Sequence, residues 1–192
     1  MKKILFLNPP PFEGINVIRE GRCMQRTGAW TSVWAPVSLA TTAAVVREAG
    51  FEPMIVDCSV EDMDEAGLSA LISSWQPDLV VINTATPSID SDIAVSSLAK
   101  AAYPGTKTLA MGIHPSALPE SCFEMDAGLD MVVRGEPEYT IRDDCILGFP
   151  GETETTMQQT IDFSKFLKLE YVQFYGDVAN FARMVKDFLT WV

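Results

Sequence analysis

The chain has 192 residues, enough for one α/β domain with a sizeable core and some further chain, but not for two complete domains. Hydrophobic residues make up 47% and charged residues 21%, a composition that excludes a disordered chain. Acidic residues outnumber Lys and Arg by 26 to 14, and the resulting net charge of −12 argues against nucleic acid as a partner.

The first residues, MKKILFLNPPPFEG, are typical of a strand rather than of a signal peptide. The apolar run is short and reaches three prolines without a small-residue cleavage site. No segment approaches the roughly 18 consecutive apolar residues that a membrane-spanning helix needs. We therefore expect a cytoplasmic protein with no membrane partner.

Strand and helix patterns alternate over the first 135 residues. Strands are predicted at 2–8, 51–59, 77–86, 106–114 and 130–136. Helices are predicted at 36–50, 61–75 and 91–103, with a short one at 118–125. Continuous apolar runs such as LVVI are typical of strands that helices cover on both faces. The pattern predicts a doubly wound, Rossmann-like (flavodoxin-like) parallel sheet with strand order 2-1-3-4-5.

Small and hydroxyl-bearing residues follow the predicted strands at the edge where such a fold binds its ligand. In the order 2-1-3-4-5 the topological switch lies between strands one and three, and ligands bind at the carboxyl ends nearby. Glycine permits close backbone approach, and hydroxyls supply donors and acceptors without bulk. The residues concerned are Thr84, Thr86, Ser88, Gly112 and Gly135.

The segment 9–35 shows no clear period and is far longer than the roughly 2–6 residues usual for loops in α/β units. It carries three arginines and two tryptophans: Arg19, Arg22, Arg26, Trp30 and Trp34. Two interpretations stay open. The segment is either a solvated loop or a lid that contacts an anionic or planar ligand.

Residues 144–192 continue the alternation with strand patterns at 145–149 and 171–176 and helix patterns at 153–168 and 178–192. We therefore predict two additional C-terminal βα units. Two such units cannot close a barrel by themselves. They extend the first sheet, pack on its helices, or are completed by another chain.

Several common catalytic motifs are absent from the sequence: GxGxxG, GxxxxGK[ST], GxSxG and HExxH. The single histidine, His114, has no carboxylate or thiolate placed near it in sequence to complete a metal site. The four cysteines show no CxxC spacing and are typical of isolated thiols. We predict no catalytic residue and no metal ligated by protein side chains.

The segments ILFLNPPP, DLVVINTATPS, AMGIHPSALPE and DMVVRGEPEYTI, in this order, carry a family resemblance. Residues 1–143 resemble the cobalamin-binding domain of cobalamin-dependent radical S-adenosylmethionine (SAM) enzymes, of the magnesium-protoporphyrin monomethyl ester cyclase and methyltransferase type. The segment CILGFPGETETTMQQTIDFSKFLKLEYVQF, within 144–192, resembles a late part of the radical SAM partial barrel of the same family.

The resemblance implies that cobalamin, a metal-containing cofactor, lies across the carboxyl edge of the sheet. It implies that Thr84, Thr86 and Ser88 face the nucleotide tail. The other residues that it implies at the corrin and its rim are Pro9, Pro10, Trp34, Pro36, Gly112, His114, Pro115, Gly135 and Glu136.

Two departures from the family pattern limit the prediction. Classical cobalamin carriers have a DxHxxG motif after strand one, whose histidine ligates cobalt, whereas this chain has NPPPFEG there. The CxxxCxxC that would hold a [4Fe–4S] cluster is absent, so no cluster is expected. We predict a truncated cobalamin-binding module that is not catalytically complete alone.

Two other functions stay open. One is an inert interaction protein without cofactor, which forms a homodimer through the C-terminal βα units. The other is a flavodoxin-like domain for a different small ligand.

Overall fold

The computed structural model describes residues 2–11, 17–19, 25–26 and 34–143. The two predicted βα units of 144–192, and the homodimer built from them, lie outside the described residues. Arg22 and Trp30 of the long loop lie outside them too.

The described residues form seven strands and six α-helices, with a short 3-10 turn at Thr86–Ser88. In chain order the elements are β1 (Lys3–Asn8), β2 (Val17–Ile18), β3 (Gln25–Arg26), α1 (Val37–Glu48), β4 (Glu52–Asp57), α2 (Glu65–Trp75), β5 (Leu79–Thr84), α3 (Ile89–Ala102), β6 (Lys107–Gly112), α4 (Ile113–Ala117), α5 (Pro119–Met125), β7 (Met131–Val132) and α6 (Pro137–Asp143).

Five of the strands form one parallel sheet with the order β4-β1-β5-β6-β7. Phe6 at the middle of β1 is level with Ile55 of β4 and with Val81 of β5. Counted along the chain, the strands of this sheet have the order 2-1-3-4-5. The predicted fold class and strand order are therefore confirmed.

Both faces of the sheet are buried, which explains the continuous apolar runs. Ile4 and Phe6 of β1 pack into a cluster with residues of α1 and α6, whereas Leu5 and Leu7 pack with α2 and α3 on the opposite face. Burial of an apolar side chain of this size contributes about 1.5–3 kcal/mol. Because successive residues point to opposite faces, a strand covered on both sides has to be apolar at every position.

Several element boundaries differ from the sequence prediction. Helix α2 begins at Glu65 rather than at residue 61, because the Asp64 side chain accepts a hydrogen bond from the Gly67 N–H at 2.8 Å and caps the helix there. The long loop contains β2 and β3, which pair antiparallel. Helix α6 was not predicted, although Pro137 in its first turn is a recognised start signal.

No helix among the described residues is long and apolar enough to cross a membrane. Over the same ranges, no group of three or more His, Cys, Asp and Glu side chains is arranged to hold a metal ion. These two findings concern only the part of the chain that the structure describes.

Candidate functional site

Three neighbouring strands end in a chain of hydrogen-bonded polar side chains. The Asn83 amide donates to Asn8 Oδ1 at 2.9 Å, and the Asn8 amide donates to Asp57 Oδ2 at 2.7 Å. Asn8 and Asn83 are buried, and Asp57 is half-buried at the end of β4. Each of these residues is the last or next to last residue of its strand. The chain links the carboxyl ends of β4, β1 and β5 into one polar edge.

A buried ion pair joins the loop after β1 to the first turn of α3. Arg19 Nη2 lies 2.8 Å from Asp92 Oδ1, and both side chains have no exposed surface. The Arg19 guanidinium also donates to the carbonyls of Pro9 at 2.9 Å and Pro10 at 3.3 Å. Arg19 therefore does not contribute to an exposed basic surface.

Asp92 connects several parts of the turn after β5. Its Oδ2 atom accepts hydrogen bonds from the Ala85 N–H at 3.0 Å and from the Ser88 hydroxyl at 2.8 Å. Burial raises the pKa of the Asp92 carboxyl above its ordinary value, and the Arg19 charge and these donors oppose that shift. The Ser88 hydroxyl, predicted to face a ligand, is thus directed at Asp92.

Gly112 brings the ends of β5 and β6 together. Its φ of +129° is accessible only to glycine in practice, and a Cβ there would lie 2.6 Å from the Thr84 carbonyl oxygen. The Thr84 hydroxyl donates to the Met111 carbonyl at 2.9 Å. The close approach that this glycine permits is to the neighbouring strand β5.

Ser116 in α4 ties together the turns that follow β6 and β7. Its hydroxyl donates to the Gly112 carbonyl at 2.7 Å and accepts from the Gly135 N–H at 3.0 Å. The Arg134 side chain donates to the Ser116 carbonyl at 3.0 Å. The two predicted turns GIHPS and RGEPE are therefore held together by one serine, which the sequence interpretation did not single out.

The remaining predicted residues after β6 and β7 differ in accessibility. His114 lies in α4 and is half-buried, and its Nε2 atom lies 3.4 Å from the Ser121 hydroxyl. Pro115 is buried, whereas Glu136 is exposed. Gly135 has a φ of +74° and open space where a Cβ would stand, so a ligand could approach its backbone.

Exposed apolar side chains accumulate at the same edge. Of the seven large hydrophobic residues that are exposed in the described part of the chain, five follow carboxyl ends of strands of the parallel sheet. They are Trp34, Val37, Val60, Ile113 and Leu118. Trp34 is 53% exposed and Ile113 is 60% exposed. A concentration of uncovered apolar surface at one edge indicates a binding surface.

The predicted site residues differ in their surroundings. The side chains of Thr84 and Ser88, with the backbone of Gly112, hold the turns together. Trp34, Thr86, Gly135 and Glu136 are exposed at the edge, and Pro10, Pro36 and His114 are half-buried. Pro9 and Pro115 are buried.

Reasoning from sequence missed Asn8, Asn83 and Asp92. Asparagine at the end of two adjacent strands, within otherwise apolar runs, was the signal that could have identified the first two.

A family model described as a B12 binding domain matches residues 27–143. The prediction of a cobalamin-binding domain is confirmed by this match. An uncharacterised methyltransferase of Pyrococcus horikoshii is 29% identical over 141 residues, which are 73% of this chain and 28% of that protein. The chain therefore spans less than a third of this relative.

Two solved structures share the fold. The radical SAM methyltransferase TsrM from Kitasatospora setae, with cobalamin and a [4Fe–4S] cluster bound, has a TM-score of 0.57 at 17% identity, covering 81% of this chain and 30% of TsrM. The cobalamin-dependent SAM radical enzyme OxsB, with aqua-cobalamin bound, has a TM-score of 0.53 at 16% identity, covering 74% of this chain and 18% of OxsB. At such identities the likeness concerns the fold alone.

Proposed function

Because the chain belongs to the B12-binding domain family, whose cofactor is cobalamin, we propose that it is the cobalamin-binding module of a radical SAM-type enzyme. Support for the enzyme type comes from the fold shared with TsrM and OxsB and from the methyltransferase relative. The parent reaction in this proposal is methyl transfer or oxidative cyclisation. When bound, cobalamin supplies a cobalt centre for such chemistry.

The observation that carries the proposal is the uncovered apolar surface at the carboxyl edge. A corrin is a broad, largely apolar ring, and its burial needs an apolar surface of matching chemistry. Trp34, Val37 and Ile113 offer such a surface beside the topological switch, where doubly wound folds bind ligands. The open backbone at Gly135 gives room for close approach at the other end of the edge. The residues present therefore fit the cofactor.

We propose that no protein imidazole binds the cobalt. His114 is the only histidine of the chain, and it follows β6 rather than β1. Asn8 and three prolines stand at the end of β1 instead. The Asn8 side chain is already engaged by Asp57 and Asn83. Retention of the cofactor then depends on surface burial and on hydrogen bonds rather than on a metal–ligand bond.

We propose that the chain is not catalytically complete alone. Its four cysteines lack the CxxxCxxC spacing that would bind a [4Fe–4S] cluster for reductive SAM cleavage. In this proposal the domain spans residues 1–143, residues 144–192 are a remnant of the radical SAM barrel, and the cluster-bearing part that would stand between them has been lost.

Retention of cobalamin by the purified chain tests the proposed module. The protein is mixed with hydroxocobalamin and desalted, and the visible spectrum is recorded. We expect about one corrin per chain. A colourless protein would contradict the proposal and favour the inert interaction protein.

Two further measurements test the finer parts of the proposal. A His114→Gln variant should retain cobalamin with an unchanged visible spectrum, because no imidazole is lost from cobalt. A shifted spectrum would show that His114 is a ligand. An iron determination after anaerobic reconstitution should find no cluster, whereas four irons per chain would overturn the proposed incompleteness.

A further inference from the structure

The buried ion pair between Arg19 and Asp92 lies at the topological switch of the sheet. Strands β1 and β5 are neighbours there, and the chain leaves β1 towards β4 on one side and β5 towards β6 on the other. Arg19 belongs to the loop that follows β1, and Asp92 lies in the first turn of the helix that follows β5. The pair therefore connects the two segments that border the place where ligands of such folds bind.

The segment after β1 depends on Arg19 because it contains consecutive prolines. Proline has no backbone N–H, so Pro9 and Pro10 offer carbonyl acceptors but no donors of their own. The guanidinium supplies donors to both carbonyls, at 2.9 and 3.3 Å. Arginine suits this position, because its guanidinium holds five donors in a rigid planar fork, whereas a lysine has three donors on a single nitrogen atom.

The segment after β5 depends on Asp92 in a similar way. Its Oδ2 atom accepts hydrogen bonds from the Ala85 N–H and the Ser88 hydroxyl, and Arg19 Nε lies 3.4 Å from the same oxygen. The other oxygen pairs with Arg19 Nη2. One ion pair thus fixes both segments relative to each other.

Stability alone is a poor explanation for such a pair. Removing two charges from water costs free energy that offsets much of their mutual attraction. Apolar residues of similar volume often stabilise a protein as well or better. The contacts with Pro9, Pro10 and Ala85 are all to backbone atoms, so the pair determines where these backbones lie.

We propose that Arg19 and Asp92 are positioning residues for cobalamin, which hold the Pro9–Pro10 and Ala85–Ser88 segments in one arrangement so that the cofactor meets a preformed edge. The inference rests on the proposed function, because it concerns the same cofactor. Neither residue contacts the cofactor in this proposal. Loss of the pair should therefore speed cobalamin release beyond what any loss of stability explains.

The test uses the full chain loaded with hydroxocobalamin and measures the rate of corrin release together with the thermal unfolding temperature. Asp92→Asn keeps the size of the side chain but removes the ion pair. Arg19→Lys keeps the approximate size of the side chain but removes the planar fork of donors. We expect release about tenfold faster in both, and an altered visible circular dichroism of the bound corrin. The matched control is Leu68→Ala, which removes a fully buried apolar side chain of α2 that is no part of the ion pair. This control should lower the unfolding temperature and leave the corrin spectrum and release rate unchanged.

A double variant, Arg19→Met with Asp92→Leu, covers the case in which the single variants do not fold. It replaces the pair by apolar side chains, and we expect it to fold and to release cobalamin quickly. A folded double variant with the wild-type release rate would overturn the proposal. A double variant that fails to fold would also overturn the proposal. The same holds if the release rates of all variants, Leu68→Ala included, simply follow their unfolding temperatures. Failure of the wild-type chain to retain cobalamin would instead contradict the proposed function.

Discussion

The two edges of the parallel sheet use their polar and apolar residues in opposite ways. At the amino edge, Lys3 contacts Asp78 through its backbone N–H at 2.7 Å and lies over the Trp75 ring. Asp130, just before β7, pairs with Lys100 at 2.8 Å and with Lys107 at 3.4 Å. At the carboxyl edge, the charged pair is fully buried and apolar side chains such as Ile113 are exposed.

This difference indicates which edge meets a ligand. An edge with a purely structural role exposes its ion pairs to water, where each contributes little to stability, and it covers its apolar side chains. The carboxyl edge does the reverse, because its polar groups hold the turns from within and its apolar groups are left for another molecule. A bound ligand or partner would remove that apolar surface from water.

The largest expected effect is a difference in stability between alanine variants of two glycines at the carboxyl edge. Gly112→Ala should lower the free energy of unfolding by about 3 kcal/mol or more, because its Cβ would meet the Thr84 carbonyl at 2.6 Å in a glycine-only conformation. Gly135→Ala should cost only about 1 kcal/mol, since open space surrounds its Cβ. Denaturant unfolding of both variants measures the difference. Equal losses would contradict the assignment of Gly112 to structure.

The next largest expected effect is on stability and concerns Asp130 at the amino edge. Asp130→Asn removes two ion pairs and weakens the contacts with the Thr108 N–H and hydroxyl. We expect the free energy of unfolding to fall by about 1–2 kcal/mol. Cobalamin release should stay at the wild-type rate, because this residue lies at the opposite edge. A faster release from a folded Asp130→Asn variant would break the distinction between the edges.

An exposed apolar residue at the carboxyl edge should show the opposite behaviour. Ile113→Ser should weaken cobalamin binding about fivefold, which corresponds to the loss of about 1 kcal/mol of apolar burial on binding. Its stability should hardly change, since Ile113 is 60% exposed. Met125→Ser, at the end of α5, is the matched control and should bind cobalamin normally. Spectroscopic titration with hydroxocobalamin compares the two variants.

The last effect, which is confined to alkaline pH, concerns Cys58, which is fully buried beside the polar edge and has no role in the proposed site. Burial, with the nearby charges of Asp57 and Glu61, raises the pKa of its thiol to about 12 from an ordinary value of 9.0. Between these two values the unfolded thiol ionises and the folded one does not, so stability falls as pH rises.

A Cys58→Ala variant should therefore lose less stability than the wild type between about pH 9 and pH 12. Denaturant unfolding at a series of pH values measures this difference. Parallel pH profiles of the wild type and the variant would show that the thiol does not cause the loss of stability.

Much of the fold could be predicted, because it depends on local patterns. Runs such as LVVI at 79–82 require burial on both faces, and this requirement, with right-handed crossovers, leaves few arrangements of five strands. The short β7 and helix α6 were harder to predict. Their patterns are brief, and α6 is held by the packing of Ile141 against the cluster that includes Leu39.

The candidate site could be predicted only as a set of positions. Thr84, Ser88 and Gly112 do stand at strand ends, as the sequence indicates, yet their hydroxyls and backbone serve neighbouring turns. Arg19 was grouped with other arginines as a candidate ligand contact. Its partner lies 73 residues away in sequence, and no local pattern connects the two.

By itself the sequence determined the five strands of the parallel sheet and most of the helices, the strand order and the edge at which small and polar residues gather, because periodicity and apolar runs are properties of adjacent residues. Only the tertiary structure decided which of those residues face outward and which hold the edge together. Hydrogen bonds and ion pairs form between groups that the fold brings within about 3 Å. Asp92 meets Arg19, and Gly112 meets Thr84, because β1, β5 and β6 end side by side.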